Sequence, residues 1–353
     1  MDKSPKQPEI YTITKQSLHD AILRGWPSMS PRTVGQTMNI RADDVYSQYV
    51  QAMDLQDLFE KAANWISRIQ ATVLHNHHQQ ILINEEIHNT LIKAIFGSNM
   101  IEHVGLGYDI TAQLCKRNFA GEDVTQIPLI ELYPQQPNLK DMSTQDAIRH
   151  RNEIVQHAKA FQHMIHCFVT EEQDLSEELI KNTHRILTTG IPIITRNGPD
   201  IPPQDYGGIY RTVVVGAGGC NFTVPKFVPK KMKEMCSNLK RELATADDKK
   251  SIDPFSIAAK YSLEFVQIHP FQDGNGRLCR MILNTILCRY AGVIVPIGEH
   301  DEERREYLAI KRRSSETMDG HGEYATFVLR RAIPRLREMK KKLAGKHEGT
   351  TRK

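Results

Sequence analysis

His269-Pro270-Phe271-Gln272-Asp273-Gly274-Asn275-Gly276-Arg277-Leu278-Cys279-Arg280 is the stretch around which the chain is organised. Ahead of it, Phe265-Val266-Gln267-Ile268 closes an apolar helical run. Behind it, Leu278, Ile282 and Ile286 recur at four-residue spacing and announce a second helix. Gly274 and Gly276 bare the backbone N–H groups where that second helix begins, a place that favours an anion. Arg277, Arg280 and Asn284 lie at i, i+3 and i+7 and share one face. Two guanidinium groups there suit forked, charge-assisted bonds to phosphate. Asp273 is an oxygen ligand suited to Mg²⁺, which takes few carboxylates and fills its shell with water and phosphate. His269 has the ordinary pKa of a group that removes a hydroxyl proton near neutral pH. The set reads as transfer chemistry on a nucleotide phosphate. It is not a Walker loop, whose Gly-x-x-x-x-Gly-Lys-[Ser/Thr] spacing is absent, nor an EF-hand.

The twelve positions, nine of them specified, resemble the active-site motif His-Pro-Phe-x-Asp-Gly-Asn-Gly-Arg-x-x-Arg of the Fic (Fido) family of protein AMPylases. The resemblance implies that His269 deprotonates a target hydroxyl, which attacks the α-phosphate of ATP. It further implies that Asp273 holds Mg²⁺, that Gly274, Asn275 and Gly276 form the anion hole, and that Arg277 and Arg280 hold the outer phosphates. Phe271 would anchor the loop in the core.

A second resemblance lies upstream. Ser98-Asn99-Met100-Ile101-Glu102-His103 is similar to the inhibitory motif of relatives with an N-terminal inhibitory helix, the class II-like members. In those relatives the glutamate pairs with the second motif arginine, which here implies Glu102 on Arg280. The family places Gly or Asn where this chain has His103. Arg304-Arg305-Glu306-Tyr307 resembles the family segment near the adenine base, so Tyr307 is a candidate for base stacking, although a Tyr at that spacing equally suits the core.

Between these motifs, Ser176 reads as the N-cap of a helix with Leu179 onward as its body. Gly207 to Val215, the turn Gly216-Ala217-Gly218-Gly219 and Cys220 to Val224 then break the helical pattern and read as a β-hairpin. In Fic relatives this is the flap, which holds a target segment by strand addition. Val213, Val214, Val215 and Phe222 would supply that edge. Upstream, Val45, Tyr49, Met53, Leu55, Leu58, Phe59 and Ala62 predict helix from about Ala42 onward, and His150, His157, His163 and His166 read as surface or cap residues.

The predicted fold is mainly α: a helical Fic domain with a short β-hairpin flap and an N-terminal helical region. The expected divisions are an extended or poorly ordered 1–40, a helical 41–175 carrying the inhibitory motif at 98–103, a catalytic 176–336 and a basic tail at 337–353. A chain of 353 residues, 40% hydrophobic and 25% charged, belongs to the soluble globular class. Its formal charge is +4, yet residues 330–353 hold ten Lys and Arg against two Glu. The basic excess therefore sits in the tail, which argues against a nucleic-acid-binding body. Six cysteines without paired spacing suggest neither zinc nor a disulfide framework, and no apolar run approaches roughly 18 residues. Cytoplasm or nucleus is the expected compartment, with no membrane partner.

The resemblance implies AMP transfer from ATP to a Ser, Thr or Tyr hydroxyl of a target protein and of the chain itself, with homodimers common among relatives. Three alternatives stay open: removal of AMP with Glu102 positioning water, transfer of a different group, and a nucleotide-binding regulatory scaffold.

Overall fold

The computed structural model describes residues 37–38, 45–49, 54–73, 77–122, 124, 142–216, 222–317 and 320–345. Two helices form the axis. The first, α7 (Pro254–Ile268), starts with Asp253 accepting the Ser256 N–H and Pro254 in the first turn, where its missing N–H is harmless. The second, α8 (Asn275–Ala291), is buried at every position except Gly276 and ends on Gly292 with φ 63°. The two pack along each other, with residues 269–274 as the loop between them.

Such a buried helix must satisfy its polar side chains internally. Asn284 does so by accepting the Val295 N–H at 2.7 Å and donating to the Val295 and Arg280 carbonyls, each at 3.1 Å. Arg289 donates to the Phe168 carbonyl at 2.8 Å. Asn284 therefore fixes the connection after α8.

Around the axis lie α1 (Leu55–Val73), α2 (His77–Ile101), α3 (Tyr108–Phe119), α4 (Thr144–Ile165), α5 (Glu177–Thr188), α6 (Val228–Lys249), α9 (Asp301–Thr317) and α10 (Gly322–Gly345). Ser143 and Ser176 cap α4 and α5 through their side chains, accepting the Asp146 and Leu179 N–H groups. Strand content among the described residues is slight: β1 (Thr37–Met38) pairs in parallel with β2 (Ser251–Ile252), and Ile193 bridges Ile201. No helix among them is long and apolar enough to cross a membrane, and the five described cysteines are free.

One hydrophobic core runs from Tyr46 to Leu343, so the regions expected as 41–175 and 176–336 share their interior. The expected boundary at 337 falls inside α10, and most of 1–40 lies outside the described residues. The helix expected from Ala42 begins at Leu55. Residues 45–49 are irregular because their polar groups bond to distant elements: Tyr46 donates to Asp253, Tyr49 to Glu306, and the Ser47 carbonyl accepts from Thr326. His157 and His163 are buried, not surface residues. His157 lies against Asn99 at 2.8 Å, and burial followed by Arg277 and Arg280 lowers its pKa.

α2 carries the upstream motif to the axis. At Gly97 it meets the turn before α9 so closely that a Cβ would lie 2.6 Å from the Ile297 carbonyl oxygen and 2.8 Å from the Glu299 nitrogen.

Candidate active site

α7 stops at His269, which adopts a left-handed φ of 52° while its N–H still bonds the Phe265 carbonyl at 3.0 Å. That conformation is unfavourable for a residue with a Cβ, so the surrounding loop must hold it. His269 Nδ1 lies 3.1 Å from the Val266 carbonyl oxygen, which fixes the proton on Nδ1 and leaves Nε2 as the acceptor. Burial lowers its pKa to about 4 against the opposing pull of the Val266 bond, with Arg211 adding to the lowering. The imidazole is neutral at pH 7 and able to take a proton.

The loop is braced from below. Phe271 is fully buried and stacks on His184 with 3.8 Å between ring centroids. His184 Nδ1 accepts the Gly208 N–H at 2.8 Å, so its Nε2–H donates to the Asp273 carbonyl at 2.9 Å. Asn275 accepts the Phe271 N–H at 3.0 Å and donates to the Phe271 carbonyl at 2.8 Å. Its side chain is thus a staple across the loop, which leaves only its backbone for an anion hole. α8 has no side-chain cap, and the N–H groups of its first turn have no intrahelical acceptor.

The two motif arginines face different partners. Arg277 bonds the fully buried Glu153 through Nη1 and Asp273 Oδ2 at 3.1 Å through Nη2. Both terminal nitrogens therefore meet carboxylates. Arg280 meets the end of α2: Nε donates to Ser98 Oγ at 2.8 Å, and Nη2 to the Ser98 carbonyl at 3.0 Å and Glu102 Oε1 at 2.6 Å. The same Glu102 oxygen sits against Gly276, where a Cβ would collide with it. A carboxylate thus lies beside the first turn of α8. α2 ends here because His103 turns left-handed (φ 56°), the conformation that favours Gly or Asn at this position.

Asp273 is half exposed and shares one oxygen with Arg277. Among the described residues no group of three or more His, Cys, Asp or Glu is arranged for a metal. A single open carboxylate beside a phosphate-favouring helix start fits Mg²⁺ that arrives with water and phosphate ligands.

Over the site, the expected hairpin is not a paired ladder among the described residues. Residues 209–216 and 222–224 are irregular, and Ala217 to Asn221 lie outside them. Arg211 takes the place of the ladder, donating through its guanidinium to the Val213, Thr223 and His269 carbonyls, while its N–H bonds the Pro270 carbonyl. Val213 and Val214 are exposed and Val215 is half-buried. Phe222 stacks on His269 at 3.8 Å, covering its ring. Tyr307 is buried in an aromatic cluster with Tyr324 and Phe327, and its hydroxyl accepts from Lys311 at 3.3 Å. Of the two readings of Tyr307, that burial matches the core one. Sequence reasoning missed His184, Glu153 and Arg211, and nothing in their spacing marks them.

The profile of the Fic/DOC family matches residues 174–287. A Fido domain-containing protein of Dictyostelium discoideum is 33% identical over 107 residues, which cover 30% of this chain and 72% of that protein. The chain belongs to the Fic/DOC family. The protein adenylyltransferase fic-1 of Caenorhabditis elegans is 28% identical to this Fic chain over 167 residues, 46% of the chain and 29% of that relative's length. Its fold is similar to that of a Fic domain-containing signaling protein from Bacteroides thetaiotaomicron (TM-score 0.59, 18% identity, 81% of this chain and 97% of that one). A fic-1 structure from C. elegans gives a TM-score of 0.60 at 19% identity, covering 83% and 73% of the two chains. The helical Fic fold is common to all three.

Proposed function

We propose that this Fic chain transfers AMP from ATP to a hydroxyl of a target protein and is held in check by Glu102. The observation that carries the reading is a neutral His269 with Nε2 free, next to a helix start whose Arg280 is bonded to the Glu102 carboxylate. His269 Nε2 takes the proton as the target oxygen bonds the α-phosphorus and the bond to pyrophosphate breaks. First-turn N–H groups of α8 receive the phosphate charge, and Arg280 receives the outer phosphates once Glu102 leaves it. Asp273 would hold Mg²⁺, which supplies charge neutralisation on the phosphates when bound. A positioned base contributes about 10²–10⁴-fold, so the remaining acceleration rests on orientation and the anion site.

The acceptors are a target protein and the chain itself, a self-modification that gives a readout without a known target. A second reading, removal of AMP, is favoured by one observation: the Glu102 side chain is about one-third exposed, as a residue that positions water must be.

Labelling with ATP carrying ³²P at the α or the γ position, with Mg²⁺, tests both. Self-labelling from the α position that rises in Glu102→Gly and vanishes in His269→Ala is the expected result. Label from the γ position would replace AMP transfer by phosphorylation. Absence of label in every variant, with AMP released from a modified acceptor by the wild type alone, would favour the reverse reaction.

A further inference from the structure

The arm that covers His269 leads into a surface that the reaction above leaves unassigned. After Phe222, the exposed residues Val224, Lys226 and Phe227 follow, Val224 at 54% and Phe227 at 49% exposure. α6 then buries Val228, Met232, Met235 and Leu239 in the core. Helical spacing turns Lys230, Lys231 and Lys233 outward, and all three are exposed. Lys226 Nζ lies 4.9 Å from the centroid of the Phe227 ring.

Residues 224–234 hold four lysines and one glutamate. Glu234 is shared, 3.9 Å from Lys230 and 3.1 Å from Lys231. Among the described residues, no carboxylate pairs with Lys226 or Lys233. A lysine run on a helix is commonly a solvated face. Two observations set this one apart: a phenylalanine and a valine stand exposed among the lysines, and the patch is continuous in sequence with the ring on the base.

We infer that this surface docks an acidic, extended segment of the target protein and so selects the hydroxyl presented to His269. The inference rests on the transferase reading and names the chemistry of its protein substrate. Phe222 and Lys226 are four residues apart, a span of at most about 14 Å. An extended target rises about 3.3 Å per residue, which places its carboxylates roughly three to five positions from the hydroxyl. Charge complementarity there acts mainly on encounter and register, so its signature is a salt-sensitive affinity and KM. The exposed apolar side chains favour a peptide over nucleic acid, and an excess of three positive charges holds an anionic membrane weakly.

Fluorescence anisotropy at low salt tests this with the full chain and three short labelled peptides. Each has a central Val-Thr-Val, flanked on both sides by Glu, Ser or Lys. The acidic peptide is expected to bind about tenfold or more tightly than the Ser peptide. A triple variant Lys226→Glu, Lys230→Glu, Lys231→Glu, altered only at exposed positions, should lose that preference and favour the Lys peptide. Equal binding of acidic and neutral peptides, no binding of the acidic one, or indifference to the charge reversal would overturn the inference. So would tighter binding of a single-stranded oligonucleotide or phosphatidylserine vesicles than of the acidic peptide. Binding is read without nucleotide, so the two readings fail separately. Charge-dependent binding with no α-label in any variant removes the transferase, whereas α-label with charge-blind binding removes only the acidic dock.

Discussion

Two regions grip the motif, and they do so in different ways. On the α4–α5 side, Glu153 and His184 are fully buried, and each meets a group of the loop or of the first turn of α8. On the α2 side, Glu102 keeps about a third of its side chain exposed and bonds Arg280 from the end of a helix. Arg277 and Arg280 are three residues apart on one helix, yet one is locked among carboxylates and the other holds a partner that is one-third exposed. The contrast lies in what removal leaves behind. Without Glu153 the buried Arg277 keeps only the half-exposed Asp273 as counter-charge, whereas without Glu102 the Arg280 guanidinium keeps its two bonds to Ser98 beside a position that water reaches.

Glu153→Ala should break the first region, costing about 3 kcal/mol, because the buried Arg277 then keeps only the half-exposed Asp273 as counter-charge. The thermal midpoint reads this, and a loss under about 1 kcal/mol would erase the contrast. Acid attacks the same side. His184 has its pKa lowered by burial to about 4, below its value of about 6.5 in the unfolded chain. The unfolded state therefore binds the proton first, and stability falls as pH drops from about 6.5 toward 4. For His184 the loss is on the order of 3 kcal/mol over that range. Thermal midpoints at stepped pH should decline less steeply in His184→Gln, and parallel curves would remove His184 as a cause.

Glu102→Gly should cost less stability than Glu153→Ala, because the lost carboxylate is partly exposed, while raising α-phosphate self-labelling about tenfold or more, equivalent to about 1.4 kcal/mol. A collapse in stability like that of the Glu153 variant would make the two regions alike. Phe222→Ala uncovers the His269 ring, so the acid limb of the transfer reaction should move upward from about 4 toward 6.5. An unmoved limb in the rate–pH profile would locate the burial elsewhere. Smallest is His103→Gly, which relieves a left-handed residue and should raise stability by up to about 1 kcal/mol.

The catalytic loop was legible because its chemistry is contiguous: base, carboxylate, glycines and arginines lie within twelve residues. Ser176 was legible for a similar reason, since a cap acts within one turn. Contacts at long sequence range were not. Glu153 sits 124 residues from Arg277 and His184 89 residues from Asp273, and an ordinary helical glutamate or histidine carries no mark of such a partner. The buried His157 and His163 were misread because polarity was taken for exposure, although an imidazole with a partner packs well inside. In the flap, valine-rich pattern suggested pairing, but the carbonyls on its arms are taken by the Arg211 guanidinium. Tyr307 shows the limit of resemblance: the segment matches, yet its ring is enclosed by Tyr324 and Phe327.

The contact at Gly97 gives α2 what an engineer calls a datum, a reference face from which other positions are measured. On both sides of it the touching atoms include backbone: a Cβ on Gly298 would lie 2.5 Å from the Gly97 carbonyl oxygen, as one on Gly97 would crowd Ile297 and Glu299. Side chains elsewhere in the core can repack and absorb a dimensional error, but two main chains in contact cannot. Glu102 follows five residues later, about 7.5 Å along the helix, so its placement inherits the tolerance of that contact. Drift in the other packing residues of α2 leaves the carboxylate in register, while one methyl group at position 97 shifts the whole scale.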